Sequence, residues 1–224
     1  MNERLDRATS LPLPTIRKLR DFVSPEDPSE ITTKIAEIIS NLEAILSQDE
    51  FKDYKVYCTG HSLGGALAQL LSFQLAGEGT LSTFQNACPV TAITYASPNV
   101  GDDGFRRAYQ KLEKKGLVRH IRVSNAGDIV PVSPPGFGYT QTGVNIYVSE
   151  DSDGMETGYR NIKTFGQTLS FAFKHRIGLL NLADDIAKHH GLTEYYTNLV
   201  TAENQLLDDS VEELYDKYAG NFTE

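Results

Sequence analysis

The sequence predicts an α/β fold in which helices flank a mostly parallel β-sheet. Short runs of β-branched and aromatic residues alternate along the chain with segments whose apolar residues recur at helical spacing. The links between these segments are short, which is typical of parallel strands joined by helical crossovers. The 224 residues are 40% hydrophobic and 23% charged, an ordinary composition for a globular protein with one sizeable core.

The first predicted helix begins at Asp27–Glu30, where an N-cap Asp precedes a proline and a glutamate follows three residues later. It continues to about Gln48 on apolar residues at helical spacing. A strand is predicted over Lys55–Thr59, and a second helix from Gly64 to about Gly77. The leucines of this second helix are predicted to form its buried face: Leu67, Leu70, Leu71 and Leu75.

Further strands are predicted from their β-branched and aromatic residues: Thr91–Ala96, Leu117–Val123 and Gly143–Val148. A helix capped by Asp102 or Asp103 and closed by Gly116 lies between the first two of them.

The last third of the chain is predicted to contain a polar surface loop, Asp151–Lys163, and an apolar helical region, Phe165–Leu182. Two helices follow, Thr193–Val200 and Ser210–Tyr218, the second beginning with a capping box formed by Ser210 and Glu213. We expect residues 27–224 to form one domain, and we assign no structure to residues 1–26.

The sequence Gly60-His61-Ser62-Leu63-Gly64 joins the second predicted helix to the strand before it. A serine at such a corner has a strained backbone, and glycines two residues before and after it allow the chains to pass closely. Its hydroxyl projects from the carboxyl edge of the sheet. The N–H of Leu63 points to the same place and can donate to a developing oxyanion. Because a serine hydroxyl is a weak nucleophile, this chemistry needs a histidine base and a carboxylate that orients it.

The segment Thr59–Ala68 resembles the fungal-type (class 3) lipases of the α/β-hydrolase superfamily. The stretches Tyr95–Gly101, Asn125–Pro131 and His190–Tyr195 resemble the family's post-nucleophile loop, acid motif and histidine loop. The resemblance implies a partial α/β-hydrolase fold. It also implies hydrolysis of carboxylic esters, typically of acylglycerols, through an acyl-serine intermediate and without a metal or organic cofactor.

The predicted nucleophile is Ser62 and the predicted acid is Asp128, which follows the strand Leu117–Val123, as the chain order of this fold requires. Five histidines compete for the role of base. Three are set aside because they lie within the elbow, within a strand, or after no strand: His61, His120 and His175. The resemblance favours His190, with His189 as the alternative, and we expect the second ring nitrogen of His190 to donate to Asp128.

A net charge of −9 without a basic stripe argues against nucleic-acid binding and leaves a lipid or small ester as the predicted substrate. Neither a secretory signal nor a run of roughly 20 apolar residues is found, so there is no predicted transmembrane segment. The chain as written is therefore predicted to be cytoplasmic, unless an upstream stretch with a signal is missing. Cys58 and Cys88 do not support a disulfide framework, and Cys58 is predicted to be a buried thiol.

One departure from the family pattern concerns the region before Asp27. In the family, a strand in this region ends in a turn that supplies the second oxyanion donor, and a short lid helix follows it. The sequence before Asp27 shows neither this strand and turn nor the lid helix. The strand Lys55–Thr59 would then lie at the edge of the sheet. Three explanations fit the missing strand and the exposed edge: an incomplete or truncated gene product, a homodimer that forms through this edge, or an N-terminal segment that folds over it. The alternative functions are a catalytically weak or inactive lipase-like binding module and an acyltransferase.

Overall fold

A computed structural model describes residues 34–51, 53–77, 89–134, 138–148, 155–159, 188–202 and 210–219. The chain divides into two compact units, Met1–Leu42 and Glu43–Glu224. The predicted boundary after residue 26, the predicted helical region Phe165–Leu182 and Cys88 lie outside the described residues. Helix α1 (Lys34–Leu46) corresponds to the described part of the first predicted helix.

The larger unit contains a five-stranded sheet with helices on both faces, which confirms the predicted fold class. Its strands in chain order are β1 (Tyr57–His61), β2 (Val90–Tyr95), β4 (Val118–Asn125), β6 (Val144–Val148) and β7 (Met155–Tyr159). They lie side by side in that same order, and the first four are parallel. Strand β7 is antiparallel to β6. The short strands β3 (Gly101–Asp102) and β5 (Tyr139–Thr140) form a separate antiparallel pair.

The remaining helices are α2 (Leu63–Leu75), α3 (Asp103–Lys114), α4 (Leu192–Thr201) and α5 (Val211–Ala219). Successive side chains of a strand point to opposite faces, so β4 divides the core into two parts. Val118 packs with residues of α3 and the end of α2. Ile121 and Val123 point the other way and pack with residues of α4 and α5. The carboxyl ends of the parallel strands therefore meet at one edge, between two layers of helices.

Local capping signals predicted helix ends well. The Asp102 carboxylate accepts from the N–H of Phe105 at 3.0 Å, and α3 ends before Gly116, whose φ is +70°. The predicted capping box at α5 is confirmed in both directions. The N–H of Ser210 donates to the Glu213 carboxylate at 2.7 Å, and the N–H of Glu213 donates to the Ser210 hydroxyl at 3.2 Å.

The predicted buried face of α2 is wrong at two of its four leucines, since Leu67 is 58% exposed and Leu70 is 39% exposed, whereas Leu75 is buried as predicted. The helix approaches the sheet through small residues instead, and a Cβ added at Gly65 would lie 2.8 Å from that of Ser97. The second error concerns the predicted surface loop Asp151–Lys163, because it contains strand β7.

The strand that leads to Ser62 is two residues later than predicted, at Tyr57–His61 instead of Lys55–Thr59. It lies at one end of the strand order, and no described strand pairs with its outer side. Among the described residues, no helix combines the length and the apolar character needed to cross a membrane.

Candidate active site

Ser62 lies at the corner between β1 and α2, in a conformation that few non-glycine residues adopt. Its φ is 57° and its ψ is −127°, and its N–H donates to the carbonyl of Tyr95 at 2.9 Å. Residues in such regions are strained and persist only where the surrounding structure holds them. A Cβ at Gly60 would collide with the backbone of Gly64, and Gly65 lies against Ser97. The predicted requirement for glycine is therefore confirmed at Gly60 and wrong at Gly64, where a Cβ would meet open space; the second glycine that is sterically required is Gly65.

The side chains of Ser62, His190 and Asp128 form a continuous chain of hydrogen bonds. The Nε2 atom of His190 lies 2.8 Å from the Ser62 Oγ, and its Nδ1 atom lies 3.0 Å from the Asp128 Oδ2. A carboxylate can only accept, so Nδ1 bears the proton in the neutral ring. The Nε2 lone pair then accepts from the serine hydroxyl, which is the arrangement that general-base activation requires. Ser62 and His190 are partly exposed, whereas the Asp128 side chain is fully buried.

Two further donors fix the Asp128 carboxylate. The N–H of Val130 donates to Oδ1 at 2.9 Å, and the hydroxyl of Tyr195 donates to Oδ2 at 2.7 Å. The same hydroxyl accepts from the N–H of Asn125 at 3.1 Å. Burial, followed by the charge of Asp128 and the hydrogen bond to it, raises the pKa of Tyr195 well above its usual value. Tyr195 is therefore a neutral donor that holds the carboxylate on the side from which His190 approaches.

Among the described histidines, His190 is the one whose ring contacts Ser62. His189 lies against Gly127, where an added Cβ would be 3.1 Å from its ring. His120 is fully buried between the hydroxyls of two threonines, Thr94 and Thr142, at 3.0 and 2.9 Å. Burial, and secondarily the charge of Arg122, lower the pKa of His120, so its ring is neutral. His175 lies outside the described residues.

His61, in the elbow itself, contacts His190 but does not reach Ser62 through a described hydrogen bond. Its Nε2 atom lies 2.8 Å from the carbonyl oxygen of His190.

The first turn of α2 provides a free backbone donor next to Ser62. The N–H groups of Gly65 and Ala66 donate back to the carbonyl of Ser62 at 2.9 and 3.2 Å. The N–H of Leu63 has no acceptor among the described residues, as is normal at a helix N-terminus. The described residues before β1, which are 34–51 and 53–56, contain no strand. The region before Asp27, in which the family pattern places the second donor, lies outside the described residues.

The described ranges contain no group of three or more His, Cys, Asp or Glu side chains that could hold a metal ion. Cys58 is buried in β1, and burial raises the pKa of its thiol to about 11, so this thiol stays protonated and unreactive.

Sequence reasoning did not predict the contacts that support the site. The Asp128–Val130 bond is an Asx-type turn, which the Asp-Ile-Val sequence could have indicated. The hydroxyl of Tyr195 and the ring of His61 reach partners that are 67 and 129 residues away along the chain. No local pattern indicates contacts of that separation.

Residues 29–137 match the family described as Lipase (class 3). Two similar rice proteins are Phospholipase A1-II 4, 35% identical over 125 residues, and Phospholipase A1-II 6, 35% identical over 158 residues. These matches cover 54% and 66% of this chain but only 30% and 38% of the relatives, so the chain spans about a third of their length. A crystallised lipase from Rhizopus microsporus var. chinensis shows 28% identity and a TM-score of 0.48, over 61% of this chain and 45% of that protein.

Proposed function

Because this chain belongs to the class 3 lipase family of the α/β-hydrolase type, we propose that it hydrolyses carboxylic esters of lipids. The observation that supports this function best is the hydrogen-bonded chain from the Ser62 hydroxyl through His190 to the buried Asp128 carboxylate. The three groups lie at the carboxyl edge of a parallel sheet, where ligands of such folds bind.

In the proposed reaction, the Ser62 Oγ attacks the ester carbonyl carbon while its proton passes to the Nε2 atom of His190. The resulting imidazolium is stabilised by Asp128, and the oxyanion accepts from the N–H of Leu63. His190 then gives its proton to the departing alcohol oxygen as the carbon–oxygen bond breaks, which leaves an acyl-serine. Water attacks this ester and gives its proton to His190. As the bond between the acyl carbon and the Ser62 Oγ breaks, His190 returns its proton to that oxygen, which regenerates Ser62 and releases the carboxylic acid.

We propose a phospholipid ester as the substrate, since the curated relatives are named phospholipases A1. Transfer of the acyl group to an alcohol other than water would use the same residues. A lipase-like binding module with weak catalysis is the second candidate. It would apply to a chain that supplies a single oxyanion donor, because losing one such donor typically costs about 10²–10³ in turnover.

The test measures hydrolysis of p-nitrophenyl butyrate and of phosphatidylcholine vesicles. Ser62→Ala and His190→Ala should each reduce turnover of the soluble ester by about 10³-fold or more. His189→Ala is the matched control, and it should keep turnover within about threefold because its ring lies against Gly127. A folded wild-type protein that hydrolyses neither substrate would refute the enzyme and favour the binding module. Equal losses in the two histidine variants would refute the assignment of the base.

A further inference from the structure

His61 directly precedes the proposed nucleophile, and its ring holds the main chain of the proposed base. Its Nε2 atom lies 2.8 Å from the carbonyl oxygen of His190. A carbonyl can only accept, so Nε2 must bear a proton. The elbow and the histidine segment are thus joined twice. One hydrogen bond runs from Ser62 to the ring of His190, and the other from His61 to its backbone.

The His61 ring also packs against the residues that face Asp128. Its centroid lies 4.8 Å from that of His190, with an interplanar angle of 39°. It lies 5.9 Å from the ring of Tyr195, which meets it edge-on at 80°. Both neighbours bind the same Asp128 oxygen. His61 therefore contacts the base and the tyrosine that orients the acid, without lying between any two of the reacting groups.

Within the described range 188–202, His190 lies ahead of helix α4 and not inside it. Residues 188–190 form a single turn, closed by the N–H of Gly191 donating to the carbonyl of Lys188 at 3.0 Å. Helix α4 begins only at Leu192. A shift of about 1 Å in this turn would lengthen the bond between His190 and Ser62, and misplacement on that scale can cost about 10²-fold in rate.

We propose that His61 is a positioning residue, which fixes the backbone of His190 so that its Nε2 atom stays within proton-transfer distance of Ser62. This inference rests on the proposed hydrolase function. His61 need not touch the substrate, and its effect on the reaction passes entirely through His190. Its loss should therefore lower kcat for a soluble ester and leave KM almost unchanged.

The test compares His61→Phe, which keeps an aromatic ring but no donor, with His61→Gln, whose amide nitrogen reaches nearly as far as Nε2. Rates are divided by the concentration of active sites titrated with a fluorophosphonate, so that misfolded protein is not counted. His61→Phe should lower kcat about 5- to 30-fold, which corresponds to one hydrogen bond to a partly buried carbonyl. His61→Gln should recover kcat to within about threefold of wild type. Thr59→Val, exposed on the same strand, is the control and should leave kcat unchanged.

A His61→Phe variant with kcat within twofold of wild type would overturn the inference, and so would a Gln variant no better than the Phe variant. If His61→Phe does not fold, His61→Asn replaces it, since its shorter side chain places the donor out of reach of the carbonyl. The Asn variant should then be at least fivefold slower than the Gln variant, and equal rates would overturn the inference. An inactive and unlabelled wild-type protein would instead refute the proposed function itself.

Discussion

Replacing Tyr195 with phenylalanine removes one hydroxyl from two hydrogen bonds at the buried end of the site. In the native protein this hydroxyl donates to the Asp128 carboxylate at 2.7 Å and accepts from the N–H of Asn125 at 3.1 Å. The ring itself is only 1% exposed and packs in the core cluster behind the sheet, so phenylalanine should fill the same space. The substitution therefore isolates the two polar contacts.

The expected cost follows from the partners of the hydroxyl. A hydrogen bond to a charged group contributes about 1.5–3 kcal/mol, and a buried donor left without an acceptor costs about 1–3 kcal/mol. Since both contacts share one hydroxyl, we expect a net loss of roughly 2–4 kcal/mol in the free energy of unfolding. For a chain of this size, that loss corresponds to a decrease in Tm of about 4–16 °C. A less firmly held Asp128 should also lower kcat about 5- to 30-fold, through a less well oriented His190.

The assay combines urea unfolding with hydrolysis of p-nitrophenyl butyrate by folded protein. Tyr196→Phe is the matched control, because its side chain is 70% exposed on the same helix and it should change neither quantity. A Tyr195→Phe variant with the stability and kcat of wild type would refute the role assigned to this hydroxyl. Loss of stability with an unchanged kcat would show that Tyr195 supports the fold and does not orient the acid.

Three further predictions concern packing and pH. Gly65→Ala should destabilise the protein by about 1–3 kcal/mol in urea unfolding, because the new methyl group would lie 2.8 Å from the Cβ of Ser97. Leu75→Ala should lower the free energy of unfolding by about 2–5 kcal/mol, because Leu75 is buried, whereas Leu67→Gln should change it by no more than about 0.5 kcal/mol. Similar losses in the two variants would contradict the observed orientation of α2. The lowered pKa of His120 keeps it neutral when folded, while the unfolded chain binds a proton below about pH 6.5. The free energy of unfolding should therefore decrease as the pH drops below that value, by up to about 1.4 kcal/mol per pH unit. A His120→Gln variant whose stability falls as steeply with decreasing pH would refute the assignment of this pH dependence to His120.

Features set by neighbouring residues were predictable from the sequence. The N-cap at Asp102 and the capping box at Ser210 and Glu213 depend on contacts within a single turn, and both are present. The strand–elbow–helix around Ser62 was also predictable, because glycine placement and the change of apolar period are local signals. The alternation of strands and helices then gave the parallel order of the sheet.

Features set by distant partners were not predictable. Helix α2 offers both leucines and small residues to the sheet, and its orientation is decided by how closely Gly65 must approach Ser97. Strand β7 is polar in sequence and is defined by its pairing with β6 rather than by its own apolar pattern. The ring of His61 and the hydroxyl of Tyr195 join segments that come together only in the folded protein.

The most direct measurement is to find the residue that a fluorophosphonate modifies. Intact-mass analysis should show one adduct per folded chain, and peptide mapping should place it on the peptide that contains Ser62. Ser62→Ala should abolish the adduct, and His190→Ala should slow its formation by about 10³-fold or more. A folded protein that forms no adduct, or forms it on another residue, would contradict the proposal that Ser62 is the activated nucleophile of this chain.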